Sequence, residues 1–204
     1  MRSTLTAIDL LTTSIQTAWK ACPGCVVSML SLDISGAFPS VSHERLLWVL
    51  RTKGFPTWVL QYVEAFLWGR RTRLSFSSYE SDWFPMVTGI PQGSPLSPIL
   101  FLLFITELLV GLQCPKDSTL GFSFVDDTNL IAWGDSASDN CHRLEAVHRH
   151  CIAWAKCYGA KFAPDKYQLI HFTKHRWDPS GDLTSTVQID SHCTLLNQKP
   201  RYGY

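Results

Sequence analysis

Two adjacent aspartates, Asp126 and Asp127, stand between two runs of strand-forming residues in the stretch FSFVDDTNLIAW (122–133). A surface turn explains many such pairs, because an Asp side chain can bond to nearby backbone. This stretch, however, lacks the glycine that a tight two-residue hairpin prefers. Two carboxylates held close together also repel unless a cation lies between them. The pair is therefore a candidate cation site as well as a candidate turn.

A third aspartate, Asp33, ends the run VVSMLSLD (26–33), which is typical of a buried strand. Hard cations such as Mg²⁺ bind carboxylate oxygens and keep water and substrate phosphates as their other ligands. Two such ions about 4 Å apart can hold both the attacking and the leaving oxygen of a phosphoryl transfer. We expect Asp33 and the aspartate pair to lie on neighbouring strands. Because adjacent side chains alternate, either Asp126 or Asp127 should be the principal ligand and the other should assist.

The elements that position these residues follow the order α-β-α-α-β-α-β-β-α-β. Hydrophobic periodicity and capping residues predict helices over 4–20, 43–53, 57–68, 97–111 and about 138–158. Further strands are predicted over 70–78 and 167–173, besides the hairpin that holds the aspartate pair. Ser97 is the expected N-cap of the most apolar helix. This order predicts an α+β fold, with helices on one face of a mostly antiparallel sheet.

Composition indicates a globular chain whose charge is unevenly distributed. The 204 residues are 46% hydrophobic and 17% charged, with a net charge of only +1. Residues 43–73 carry six Lys or Arg against two acids, and residues 141–176 carry seven against two. Residues 74–140 carry one lysine and eight acids. Basic flanks around an acidic centre suit a site that binds a polyanion and a metal, although solvated helix faces explain them equally well.

The sequence predicts a soluble, intracellular protein without a membrane segment. The N-terminus lacks the pattern of a signal peptide, and the most apolar run, 99–110, is about 12 residues long and contains Glu107. Seven cysteines have no framework spacing, which favours buried thiols. Cys22 and Cys25 form a CxxC motif, for which a redox pair or half of a zinc site is the alternative.

Four blocks resemble the consecutive palm motifs of reverse transcriptases: LDISGAFPSV (32–41), GIPQGSPLSPILF (89–101), FVDD (124–127) and GAKFAPDKYQLIHF (159–172). Their order and spacing are similar to those of the non-LTR, LINE-type retrotransposon group, over roughly residues 4–173. The resemblance implies a right-hand polymerase palm with partial fingers over residues 1–177, and no thumb. Residues 178–204 would then be a truncated or degenerate tail near the primer grip.

The resemblance also implies which residues are catalytic. Asp33, Asp126 and Asp127 would be the carboxylates that bind two Mg²⁺ ions, for which Mn²⁺ could substitute, and the backbone carbonyl of Ile34 would help. Phe38 would lie under the incoming sugar, where its ring would clash with a 2′-hydroxyl and favour deoxynucleotides. Plain core packing is the alternative for Phe38, since Phe is usually buried.

Three more residues match the nucleotide-binding positions of that family. Gln92 and Gly93 would border the nucleotide and the template, and Lys166 would lie near the triphosphate. A helix-entry turn is the other interpretation of the loop, and an exposed loop lysine is the other interpretation of Lys166.

The implied activity is that of an RNA-directed DNA polymerase core, which extends a primer 3′-hydroxyl by two-metal nucleotidyl transfer. Its partners would be an RNA template, a DNA primer and deoxynucleoside triphosphates, and a nuclear location is compatible with a retroelement. The alternative is an inactive retroelement remnant that at most binds nucleic acid through its basic flanks. The sequence does not indicate an oligomeric state.

Overall fold

A computed structural model describes residues 4–114, 117–124, 127–174, 182–189, 193–194 and 201–202. Within these residues the α-helices are α1 (Thr4–Ala21), α2 (His43–Thr52), α3 (Thr57–Leu67), α4 (Ser97–Phe104), α5 (Thr106–Gly111) and α6 (Ala137–Tyr158). The strands are β1 (Val26–Asp33), β2 (Arg71–Thr72), β3 (Ser75–Phe76), β4 (Tyr79–Glu80), β5 (Phe84–Pro85), β6 (Gln113–Cys114), β7 (Thr119–Phe124), β8 (Asp127–Gly134), β9 (Gln168–Thr173), β10 (Gln188–Ile189), β11 (Cys193–Thr194) and β12 (Arg201–Tyr202).

The main sheet has six strands in the order β12-β9-β1-β8-β7-β6. Strand β1 lies between β8 and β9 and is antiparallel to both, so Leu30 pairs with Leu130 on one side and with Leu169 on the other. Strand β12 is parallel to β9. The mostly antiparallel sheet predicted from the sequence is confirmed.

Helices α1 and α6 contact opposite faces of strand β1. Ile15 and Ala18 of α1 pack in one buried cluster with Val27 and Met29. The side chain of Ser28, between those two residues, accepts a hydrogen bond from Asn140 of α6 at 3.2 Å. Because successive side chains of a strand alternate, the two helices lie on different faces. The α+β palm architecture is confirmed, but the prediction that all helices lie on one face of the sheet is wrong, because α1 covers the face opposite α6.

The chain forms two compact units, each built from separate stretches of sequence. One unit comprises residues 1–34, 108–154 and 162–204, and the other comprises residues 35–107 and 155–161. The first unit contains the main sheet, with α1 and residues 137–154 of α6. The division into a palm over 1–177 and a tail over 178–204 stays a prediction.

The second unit contains α2, α3, α4 and a two-part hairpin in which β2 pairs with β5 and β3 pairs with β4. The single strand predicted over 70–78 is therefore wrong, because the chain reverses at Ser77, whose φ is 52°. Helix α2 begins as predicted: the Ser42 side chain accepts a hydrogen bond from the backbone N–H of Arg45 at 3.3 Å.

The apolar helix predicted over 97–111 is divided into α4 and α5 at Ile105. The expected capping role of Ser97 is also wrong. Ser97 is buried inside the first turn, and its hydroxyl donates to the carbonyl of Pro91 at 2.5 Å. The hydroxyl therefore closes the preceding loop instead of capping the helix. Within the described part of the chain, no helix is both long and apolar enough to cross a bilayer.

Candidate active site

Asp33 and Asp127 lie directly opposite one another in the pairing of β1 with β8. Residues opposed in this way have Cα atoms about 4.5–5.5 Å apart and side chains on the same face of the sheet. The Asp33 side chain is 25% exposed, and Asp127 is exposed. The strands that carry these two aspartates are therefore neighbours, as the sequence predicts.

Asp126 lies outside the described residues, as does Val125. The residues on either side of them, Phe124 and Asp127, are partners in the pairing of β7 with β8. The two strands of the hairpin predicted around the aspartate pair are thus present as β7 and β8. The role of Asp126 stays a prediction.

Backbone hydrogen bonds beyond the end of β1 fix the position of Asp33. Its carbonyl accepts a hydrogen bond from the N–H of Ala163 at 2.9 Å. Ile34 forms an isolated antiparallel bridge with Phe162. Since the bonds of this bridge are made by the neighbours of Ile34, the bridge does not use the Ile34 carbonyl. The side chain of Ile34 is buried, at 3% exposure.

Lys166 forms an ion pair with Asp33. Its Nζ donates to Oδ2 of Asp33 at 3.0 Å, and the lysine side chain is 59% exposed. Lys166 ends the 3₁₀ turn Pro164–Lys166, which lies between the Ile34–Phe162 bridge and the start of β9, so this turn brings the lysine to the end of β1. Such an exposed ion pair adds little to stability. The sequence reasoning missed this contact, because no local pattern indicates that the turn before β9 meets the end of β1.

The described carboxylates fit a hard divalent cation. Mg²⁺ is usually held by one or two carboxylates together with water and substrate phosphates, which matches two facing and partly exposed aspartates. Within the described ranges, no group of three or more His, Cys, Asp or Glu side chains forms a protein-only metal cage. Two facing carboxylates leave most coordination positions of a Mg²⁺ ion to water and to substrate oxygens.

Phe38 belongs to the second unit, where it is half-buried. Its ring meets the edge of the Phe101 ring, with centroids 5.5 Å apart and planes at 85°. Its carbonyl accepts a hydrogen bond from the N–H of Ile90 at 2.9 Å, and the carbonyl of Val41 accepts one from Gly89 at 2.8 Å. The segment around Phe38 is therefore hydrogen-bonded to the start of the Gly- and Pro-rich loop. Because the Phe38 side chain is only half-buried, part of it stays accessible to a ligand.

Gly89 permits the close approach of these two segments. Its φ is +85°, and a Cβ built on it would lie 2.8 Å from the carbonyl oxygen of Pro39. The carbonyl of Gly89 accepts hydrogen bonds from Nε2 of His43 at 2.8 Å and from Nη1 of Arg70 at 3.2 Å. Sequence reasoning missed His43 and Arg70, and no local pattern could have indicated them, because both contacts join distant parts of the chain.

Gln92 and Gly93 are exposed in the same loop, and Gly93 has a φ of +86°. Nothing lies within 4 Å of a Cβ built on Gly93. The turn at Gly93 thus has an open surface, which both the nucleotide-bordering interpretation and the helix-entry interpretation allow.

The CxxC motif has the properties of a structural thiol pair. Cys25 is buried, at 2% exposure, and burial is the main cause that raises the pKa of its thiol to about 11. Redox exchange requires the thiolate, which a raised pKa disfavours. The buried-thiol interpretation of Cys25 is favoured.

Comparison with known proteins identifies the family. The family model described as "Reverse transcriptase (RNA-dependent DNA polymerase)" matches residues 3–199. The chain belongs to the reverse transcriptase family. Its palm-like sheet and its paired aspartates occur together in the segment that this match covers.

Curated relatives of this reverse transcriptase-family chain come from non-LTR retrotransposons. The chain is 32% identical over 133 residues to the Pol polyprotein of the type-2 element R2DM of Drosophila melanogaster, covering 62% of the chain and 12% of that protein. It is 30% identical over 199 residues to the R2 Pol polyprotein of Nasonia vitripennis, covering 94% and 18%. The chain thus spans less than one fifth of the length of these relatives.

Solved structures support the fold of this family member. Apo telomerase from Candida tropicalis, truncated from its C-terminal domain, superimposes with a TM-score of 0.66 at 17% identity, over 89% of this chain and 37% of that one. Telomerase of the same organism with a fragment of telomeric RNA gives a TM-score of 0.64 at 14% identity, over 93% and 31%. These likenesses establish a reverse transcriptase palm with part of the fingers.

Proposed function

We propose that this chain is the catalytic palm, with part of the fingers, of an RNA-directed DNA polymerase that extends a DNA primer on an RNA template. The observation that carries the proposal is the cross-strand pairing of Asp33 with Asp127, beside the Lys166 ammonium. Asp126, next to Asp127 in sequence, is the third proposed carboxylate. An intracellular, nuclear site of action stays a prediction.

Asp33, Asp126 and Asp127 would hold two Mg²⁺ ions, with help from the Ile34 carbonyl. When bound, the ions would activate the primer 3′-hydroxyl and offset the charge that develops on the leaving pyrophosphate. Asp33 and Asp127 provide oxygens from one face of the sheet, so both carboxylates can turn toward the same ligand.

Lys166 would contact the triphosphate of the incoming deoxynucleotide. Its ammonium pairs with Asp33, and a flexible, exposed lysine can turn from that carboxylate to a phosphate oxygen. A cation there stabilises the charge of the transition state. Lys166 would thereby act on the leaving group while the aspartates act through the metal.

Phe38, Gln92 and Gly93 would form the nucleotide-binding part of the second unit. The Phe38 ring, held from one side by Phe101, would exclude a 2′-hydroxyl from the sugar position. Gly93 would let the template or nucleotide approach the backbone, because it has no Cβ. Gln92 would supply an exposed amide beside it.

Primer extension tests the proposal directly. The chain is incubated with oligo(dT) on poly(A), labelled dTTP and either Mg²⁺ or Mn²⁺. Asp126→Asn and Asp33→Asn should each lower extension by at least about 100-fold, since each removes a charge that stabilises the transition state. Asp9→Asn, at an exposed carboxylate of α1, is the matched control and should retain extension.

The opposite result would identify the alternative function. A folded wild-type chain that binds RNA in a salt-sensitive manner, but extends no primer with either metal, would be an inactive retroelement remnant. Extension that survives Asp126→Asn would also contradict the proposed site.

A further inference from the structure

A cavity of about 560 Å³ lies at the base of the two-part hairpin in the second unit. It is lined by residues 42–44 at the start of α2, by residues 68–71, and by residues 85–88. Its volume is within the range of roughly 300–1,000 Å³ that is typical of small-ligand sites. None of the residues assigned above to metal or nucleotide binding lines it.

Arg71 is the cation of this cavity that is available to a ligand. Arg70 donates to the Gly89 carbonyl at 3.2 Å and to the Met86 sulfur at 3.7 Å, and His43 is also bonded to Gly89. Arg71, by contrast, is exposed and forms no ion pair within the described part of the chain. Glu44, in the first turn of α2, is the acidic residue in the lining.

Trp68 supplies an aromatic surface to the same cavity. It follows the last residue of α3, and 57% of its surface is exposed. The hairpin beyond it exposes four more rings, namely Phe76, Tyr79, Trp83 and Phe84. The guanidinium of Arg73 lies over the Trp83 ring, 4.9 Å from its centroid. Exposed apolar patches of this kind mark interaction surfaces, and the rings of this hairpin alternate with the cation of Arg73.

We propose that this cavity binds one nucleotide of a single-stranded nucleic acid, with the base stacked on Trp68 and the phosphate paired with Arg71. The inference rests on the proposed function and deepens it, because it names a subsite for the template strand. Aromatic rings interleaved with cations are the means by which proteins hold single strands. A protein partner is the less fitting occupant, because residues 43–73, which supply much of the lining, carry six Lys or Arg against two acids and therefore favour a polyanion.

A binding assay without catalysis tests the subsite. The probe is a fluorescein-labelled RNA of twelve adenosines, and fluorescence anisotropy is measured with EDTA and without nucleoside triphosphates. Trp68→Ala should raise the Kd roughly tenfold, because one stacked base is lost. Arg71→Ala should lower the slope of log Kd against log salt by about 0.7, because one phosphate contact is lost.

Matched controls separate the subsite from general surface effects. Trp58→Ala removes a ring that is 70% exposed on α3, and Lys20→Ala removes an exposed cation of α1 that lies outside both basic segments; neither residue lines the cavity. Both should leave the Kd within about twofold of the wild type, in contrast to the loss of a stacked base. Trp68→Phe keeps an aromatic surface and should retain most of the affinity, which guards against misfolding of the alanine variant.

Three results would overturn the proposal: a wild-type chain that does not bind the RNA, cavity variants that bind like their controls, or Trp68→Ala that abolishes only self-association in sedimentation velocity. The last result would assign the surface to a protein contact. Failure of primer extension with a preserved effect of Trp68→Ala on RNA binding would reject the polymerase activity but retain the subsite.

Discussion

Asp33 lies between an anionic and a cationic side chain that come from two different elements. Strand β8 places Asp127 opposite it, and the 3₁₀ turn Pro164–Lys166 before β9 places Lys166 beside it. The Lys166 ammonium, 3.0 Å from Oδ2 of Asp33, offsets the repulsion between the two carboxylates. Asp33 thereby faces Asp127, the other described candidate metal ligand, and also contacts Lys166, the proposed triphosphate ligand.

Replacing Phe38 should change the choice of sugar. Phe38→Val should raise the efficiency of ribonucleotide incorporation relative to deoxynucleotide incorporation by roughly 10- to 100-fold, because a smaller side chain leaves room for the 2′-hydroxyl. The measurement is kcat/KM for UTP against dTTP on the same primed template. Phe84→Val, on the exposed hairpin, is the control. An unchanged ratio would indicate that Phe38 serves only to pack against Phe101.

Alanine substitutions at two glycines of one loop distinguish the cost of a positive φ angle from the cost of a steric clash. Gly89 and Gly93 have φ angles of +85° and +86°, but only a Cβ on Gly89 would meet backbone atoms. Gly93→Ala should lower the free energy of unfolding by about 1–2 kcal/mol. Gly89→Ala should cost at least about 1 kcal/mol more, because the Pro39 backbone must move. Urea unfolding measures the free energy of unfolding of both variants. Equal losses of stability would contradict the close approach of Gly89 to the Pro39 backbone.

At the scale of elements, a buried chain of hydrogen bonds joins α6, β1, β9 and the segment after Thr184. Asn140 donates to Ser28, and Nδ1 of His171 lies 2.7 Å from the Ser28 hydroxyl. Nε2 of His171 lies 3.0 Å from the Ser185 carbonyl, which can only accept, so Nε2 carries the proton. In the neutral imidazole, Nδ1 accepts a hydrogen bond from the Ser28 hydroxyl. Burial favours this neutral form, because it lowers the pKa of His171.

Stability should therefore fall as the pH falls through the ordinary histidine pKa of 6.5. Burial is the main cause that lowers the pKa of His171 in the folded chain, although the Ser185 carbonyl and Asp182 act in the opposite direction. The unfolded chain thus takes up the proton first, and acid favours unfolding below about pH 6.5. One proton limits the loss to about 1.4 kcal/mol per pH unit.

The matched comparison is His171→Gln against His142→Gln, since His142 is an exposed histidine of α6. Free energies of unfolding in urea at several pH values between 5.5 and 7.5 measure the effect. His171→Gln should flatten the pH dependence, and His142→Gln should change it little. A wild-type curve that is as flat as that of His171→Gln would show that His171 does not titrate in this range.

A second contact between distant elements caps α6. The Asp182 carboxylate accepts hydrogen bonds from the backbone N–H groups of Ala137 and Ser138 at the first turn of the helix. A negative group there satisfies free N–H donors and complements the helix dipole. The short 3₁₀ helix Asp182–Thr184 is thereby fixed to the sheet unit.

At the scale of the whole molecule, a net charge of +1 conceals two basic segments, 43–73 and 141–176, and an acidic one between them. If the basic segments contact phosphates, RNA binding should be strongly sensitive to salt. The Kd for single-stranded RNA should rise at least about tenfold between 50 and 200 mM KCl, because bound counterions are released from the RNA. A peptide nucleic acid of the same bases, which has no phosphates, is the control probe and should show no such slope. Salt-independent RNA binding would contradict an electrostatic contribution from these segments.

The sequence by itself determined the class of fold and the residues that could do chemistry. Period-2 alternation in residues 26–33 and the helical stripes on either side require a sheet covered by helices, because apolar faces must be buried. Adjacent aspartates at a strand end are costly without a cation, so the sequence predicts a cation site there without coordinates. Strand alternation, helical periodicity and adjacent aspartates are all patterns among residues close together in the chain, so they can be recognised in the sequence alone.

Only the tertiary structure decided which distant side chains meet. The pairing of Asp33 with Lys166, the bonds of His43 and Arg70 to the Gly89 carbonyl, and the cap that Asp182 provides to α6 all join segments far apart in the chain. Ser97 is another example. Its position in the sequence predicted a helix cap, but in the structure its hydroxyl donates a hydrogen bond to the Pro91 carbonyl. Such contacts depend on strand register and on which buried polar groups still need a partner, and both are settled only when the elements pack together.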